Sequence, residues 1–151
     1  MLLHYPSIQI LITGVGSAFI AQLLKFTGYL IVKRKINFQL LFTTGGMPSA
    51  HSAGIVALAT LVGFMKGFGS VEFAIATGYA LVVMYDAAGV RRSAGKMAVT
   101  LNKLMDDIYS HKQTDPRERL KELLGHTPLE VFFGAILGMF MAYLSYFHWF
   151  N

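Results

Sequence analysis

The chain has 151 residues, 54% of them hydrophobic, a mean hydropathy of +0.51 and a formal net charge of +5. That length allows one compact unit, and that apolarity excludes an ordinary soluble domain, so a single membrane domain over residues 1–151 is expected. Without cysteine, neither a disulfide framework nor a thiolate metal site can form.

The first apolar stretch, 8–32, has no basic residue before it and is far longer than the core of a secretory signal, so it reads as a retained span. Three more follow, at 50–67, 71–88 and 129–150, each near the length that crosses a bilayer. The expected fold is all-α, an integral membrane bundle of four transmembrane helices. Before the last span lies a charged insertion. From Ala94 its apolar residues Met97, Ala98, Leu101, Met105 and Ile108 recur at helical spacing, which predicts an amphipathic helix at the cytoplasmic face. A second start signal follows in "DPRERLKELLGH": Asp115 can cap, Pro116 fits the first helical position, Glu118 completes a capping box and Gly125 ends the helix.

Charge sets the expected orientation. Residues 1–24 and 131–151 carry no charged side chain, whereas Lys33, Arg34, Lys35 and the segment 86–122 hold most of them. By the positive-inside rule those two segments face the cytoplasm, and both termini and the turn near 68–70 face outward, with Lys66 as the basic residue on that side. A bacterial plasma membrane is the expected location. Topology and contact with anionic lipid account for the positive charge, and the interleaved basic and aromatic residues of a nucleic-acid surface are missing.

Into this apolar chain the stretch "GGMPSAHS", 45–52, inserts two glycines, a proline, two serines and a histidine. With Pro48 at the first helical position, the amides of Ser49, Ala50 and His51 would lie in a first turn without intrahelical partners, a setting that favours an anion. Gly45 and Gly46 permit close backbone approach, and His51 titrates near neutrality. A plain helix cap beside an interfacial histidine is the other reading. "GHTPLEV", 125–131, repeats the arrangement, with His126 beside Thr127 as cap and Pro128 as first helical residue. Arg91 and Arg92 at the end of the third span, and Lys25 within the first, fall on the same side. Two histidines with several fixed cations supply a nucleophile, a proton donor and charge stabilisation for phosphoryl transfer, with no metal required. A metal site from His51, Asp86, His126 and Glu130 is a weaker alternative, because no close-spaced ligand motif is present.

At these residues the chain resembles the type 2 phosphatidic acid phosphatase superfamily, which includes vanadium-dependent haloperoxidases, and specifically its short divergent membrane branch. "PSAH", 48–51, matches the superfamily's Pro-Ser-Gly-His with Ala50 for Gly. His126 and Glu130 keep the spacing of its His-x-x-x-Asp with Glu for Asp, while the arginine expected six residues before the histidine is Leu120 here. Arg91 or Arg92 is the better counterpart, with the amphipathic segment inserted after it. Lys25 stands for the lysine of the first motif, although no Arg-Pro follows it. The resemblance implies metal-independent, cofactor-free hydrolysis of a lipid or prenyl phosphate, an amphiphilic substrate, through a phosphohistidine. His126 would be the nucleophile, Glu130 its orienting carboxylate and His51 the general acid. Arg91, Arg92, Lys25 and the Ser49 hydroxyl would hold phosphate oxygens. Alternatives stay open at several positions. Glu130 also completes a capping box with Thr127, Lys25 can snorkel to the interface, and Asp86 can orient a site residue or pair with an arginine. A non-catalytic lipid-phosphate binder or scaffold would carry the same pocket. His4, His111 and His148 fall outside the constellation.

Overall fold

The computed structural model describes residues 6–36, 45–108, 120 and 125–150, and every regular element among them is helical. They run in the order α1 (Pro6–Lys33), α2 (Ala50–Lys66), α3 (Val71–Tyr85), a π-helical turn (Asp86–Val90), α4 (Arg91–Ile108) and α5 (Pro128–Phe150). α1, α3 with its continuation, and α5 are long and apolar enough to cross a membrane, and α2 is a shorter apolar helix of 17 residues. The chain is a four-helix membrane bundle.

Its polarity is that of a protein dissolved in lipid. On α1 the buried residues Gln9, Thr13, Ser17, Ala21 and Lys25 recur every fourth position and are small or polar, while Leu11, Val15, Phe19 and Ile31 point outward. With hydrocarbon as solvent, exposed leucine or phenylalanine carries no penalty, and the polar face must turn inward.

α2 is the central helix, packed against α1, α3 and α5. It can be central because its contact surfaces are small. Gly54 meets Gly14 of α1, where a β-carbon on Gly54 would lie 3.0 Å from the Gly14 carbonyl oxygen. On the other side Gly134 and Gly138 of α5 form a small-xxx-small pair against Ser49, Ser52 and Ala53. Close approach maximises dispersion contact where no hydrophobic driving force separates helix from lipid.

Helix ends follow local chemistry. Ser49 caps α2, its hydroxyl accepting from the Ser52 amide, so Pro48 precedes the cap instead of occupying the first helical position expected for it. Ser70 caps α3 by accepting from the Phe73 amide at 3.2 Å. At α5, Thr127 and Pro128 take the cap and first helical positions that the sequence predicts.

The largest departure from the sequence reading concerns the third span. The amphipathic helix is not a separate element starting at Ala94. It begins at Arg91 and continues α3 through the π turn, giving one helix of 38 residues, Val71–Ile108. Periodicity alone could not reveal this, because a π turn inserts a residue and shifts the phase of the apolar pattern. The short helix expected from Pro116 lies outside the described residues except for Leu120, which is not helical and whose amide and carbonyl both bond the buried side chain of Asn102, at 3.1 and 3.0 Å.

Candidate functional site

The C-terminal part of α1, the start of α2, the π turn and the start of α5 come together at one end of the bundle, and each brings a polar side chain. His126 is the centre. Its backbone amide donates to the Ala87 carbonyl at 2.9 Å, which ties the residue before α5 to the π turn. Its ring is buried, 3% exposed, and Nδ1 lies 3.0 Å from Oε2 of Glu130. The same oxygen accepts from the Thr127 amide at 3.3 Å, while the Thr127 hydroxyl accepts from the Glu130 amide at 3.3 Å. A reciprocal capping box and a histidine–carboxylate pair therefore share one carboxylate. With Nδ1 donating to Glu130, Nε2 is the ring nitrogen left with its lone pair.

His51, at the second residue of α2, faces this ring. The centroids are 6.1 Å apart and the planes meet at 65°. His51 is exposed where His126 is buried, so an incoming group meets His51 from the open side. Arg91, His126, Lys25 and Asp86 are the charged or ionisable groups close enough to act on His51 electrostatically. Arg91 Nε donates to Asp86 Oδ2 at 2.7 Å across the π turn, and both remain partly exposed. Lys25 is buried, donates from Nζ to the Gly45 carbonyl at 3.0 Å, and interacts with the charge of Glu130.

The loop before α2 is shaped around that lysine. Gly45 and Gly46 have φ of 110° and 86°, the region open chiefly to glycine, and a β-carbon on Gly46 would fall 2.8 Å from Lys25 Cδ. The Ser49 amide donates to the Glu130 carbonyl at 3.0 Å, joining the starts of α2 and α5. The amides of Ala50 and His51 therefore remain in the first turn without intrahelical partners, a shorter set than the one expected with Pro48 inside the helix.

Comparison with known proteins gives this arrangement a family. The model of the Divergent PAP2 family matches residues 7–141. The chain belongs to that family. It is also 38% identical to the uncharacterized membrane protein YuiD of Bacillus subtilis (strain 168), over 97% of this chain and 98% of that protein. No solved structure matches it.

In this Divergent PAP2 protein, His51, His126, Glu130, Arg91, Asp86 and Lys25 share one neighbourhood, as the preceding distances and charges define it. Ser49 and Arg92 stand differently. Ser49 is wholly buried, and its hydroxyl is engaged with the Ser52 amide at 3.4 Å and the Ser52 hydroxyl at 3.1 Å, so it shapes the helix start and is not open to a phosphate. Arg92 is exposed, and its backbone, with that of Arg91, lies where a β-carbon on Gly125 would have to go. His148 lies at the opposite end of α5, while His4 and His111 are outside the described residues. Among the described residues no group of three or more His, Asp or Glu side chains could hold a metal ion.

Three contacts of this end of the bundle were not legible as function: the Ala87 carbonyl, the Gly45 carbonyl and the Asn102 clamp on Leu120. The first two are backbone groups, which carry no sequence signal. Asn102 has one in hindsight, as a carboxamide on the inner face of an amphipathic helix, where burial requires hydrogen-bond partners.

Proposed function

We propose that this protein hydrolyses a lipid or prenyl phosphate, mono- or diphosphate, through a phosphohistidine on His126. The observation that carries the reading is the pair of facing imidazoles, one of them held through Nδ1 by Glu130. Nε2 of His126 attacks phosphorus and the phosphorus–oxygen bond to the leaving group breaks. His51 gives its proton to the leaving oxygen. Water then attacks the phosphohistidine, His51 takes a proton from it, and phosphate leaves with His126 restored. Arg91 and the Ala50 and His51 amides stabilise the charge on the equatorial oxygens, and Arg91 can swing between Asp86 and a phosphate because both ends of that pair are partly exposed. Lys25 holds the Gly45 loop and offsets the Glu130 charge. The apolar surface between helices accepts the tail.

Purified protein in detergent, given a panel of lipid phosphates with a chelator present, is expected to release phosphate and to be inhibited by vanadate. Strict dependence on added metal would overturn the reading. A second reading, lipid-phosphate binding without turnover, draws on the burial of His126 and on the engagement of Arg91 with Asp86. It predicts saturable binding in the same panel with no phosphate release.

The site is proposed to face the cytoplasm, with both termini outside, because the site end of the bundle carries Lys33, Arg34, Lys35, Arg91, Arg92 and Lys96 against Lys66 at the other end. Single cysteines at Lys35 and Lys112 are expected to be shielded from an impermeant thiol reagent in intact cells, and one at Asn151 to be labelled. The reverse pattern would put the site outside.

A further inference from the structure

The helix Val71–Ile108 is about 57 Å long. α3 and the π turn together cover about 30 Å, which matches the hydrocarbon thickness of a bilayer. α4 adds about 27 Å beyond it. α4 has three faces. Gly95, Ala98 and Asn102 are buried, and Arg92, Lys96 and Lys103 are exposed on a second side. Val90, Met97, Leu101, Leu104 and Ile108 form a third, with exposures between 48% and 73%.

This third face has the spacing of a helix seam, which a helix lying on lipid shares, so what covers it is decided by where it lies. With the half-buried Ala94, the positions 90, 94, 97, 101, 104 and 108 advance by alternating steps of four and three, the a/d pattern of a two-helix seam. No charged residue interrupts it. Lys96 and Lys103 fall at positions flanking the seam's far side, so two copies side by side would not bring their cations together. The stripe also continues one on α3. Exposed Val71, Ile75, Gly78, Val82 and Tyr85 advance by the same steps, and in an unbroken α-helix the next positions would be Gly89, Arg92 and Lys96. The extra residue of the π turn moves the stripe onto Val90 and from there along the apolar face of α4, so one unbroken ridge leaves the membrane with the helix.

We infer that this ridge is a homodimer interface, in which α4 of one protein pairs in parallel with α4 of a second copy about an axis normal to the membrane. A second copy is the occupant because it presents the same a/d ridge at the same height, and because the ridge extends past the hydrocarbon that could otherwise cover it. The inference is independent of the proposed chemistry.

The chain lacks cysteine, so single cysteines can be read directly. In native membranes under mild oxidation, Met97→Cys, Leu101→Cys, Leu104→Cys and Ile108→Cys are expected to give disulfide-linked dimers in several-fold higher yield than Lys96→Cys and Lys103→Cys. Equal yield at all six positions would mean random collision and would overturn the interface. Absence of links at the four ridge positions would also overturn it, and protection of those cysteines from a water-soluble maleimide would then identify lipid as the cover. So that the result does not depend on how a ridge variant folds, the unmodified protein is to be counted in native lipid nanodiscs, where two copies per particle are expected and one would refute the pairing.

Discussion

Replacement of His126 by alanine is expected to abolish phosphate release and covalent labelling by phosphate-labelled substrate together, because in the proposed mechanism no other side chain attacks phosphorus and water attacks only the phosphohistidine. His51→Ala should differ in kind. It removes a proton donor, a loss of about 100 to 10,000-fold, and a substrate with a good leaving group should recover much of that loss because it needs less protonation. The activated substrate should not rescue His126→Ala. Glu130 completes the test, since its carboxylate serves both a helix cap and a histidine. Gln can keep a capping box, so Glu130→Gln should leave thermal stability near that of the parent while turnover falls, whereas Glu130→Ala should also lose about 1 kcal/mol of stability. Ordinary turnover in His126→Ala would end the phosphohistidine proposal, and unchanged turnover in Glu130→Gln would reduce that residue to its cap.

The second large effect is expected from a residue with no chemistry. A β-carbon on Gly134 would lie 2.5 Å from the Ser49 carbonyl oxygen and 3.1 Å from Ser49 Cβ, with both backbones fixed in the packed starts of α2 and α5. Gly134→Ala must push those helix starts apart, at a cost of roughly 1 to 3 kcal/mol. His51 rides on one of them and His126 precedes the other, so turnover should fall with stability. Gly16→Ala is the control, because nothing lies within 4 Å of a β-carbon there and alanine favours the helix. Thermal unfolding in detergent and phosphate release from the same preparations read both effects. A Gly134→Ala protein as stable and active as the parent would show that α2 and α5 can separate without consequence.

Much of this protein is legible in its sequence because membrane solvent imposes simple rules. Four apolar stretches, three of them long enough to span, the cap at Thr127 with Pro128 as first helical residue, and the four-residue step from His126 to Glu130 depend on local spacing, and local spacing is what a sequence displays. The placement of His51, His126 and Lys25 at one end of the bundle is an expectation of span order and charge, and their roles one of resemblance, since they belong to α2, the residues before α5, and α1, and no periodicity relates them. Only tertiary structure decided their geometry. Glycines on α5 let α2 approach, the Ser49 amide met the Glu130 carbonyl, and the Gly45 loop closed over Lys25. It also separated Arg91, beside Asp86 and acting on His51, from its exposed neighbour Arg92, and it committed the Ser49 hydroxyl to Ser52. The continuation of α3 into α4 was hidden for a different reason. A π turn adds one residue to the count between two apolar stripes, and a pattern read at constant period treats that shift as a boundary, whereas the folded backbone carries the helix through it.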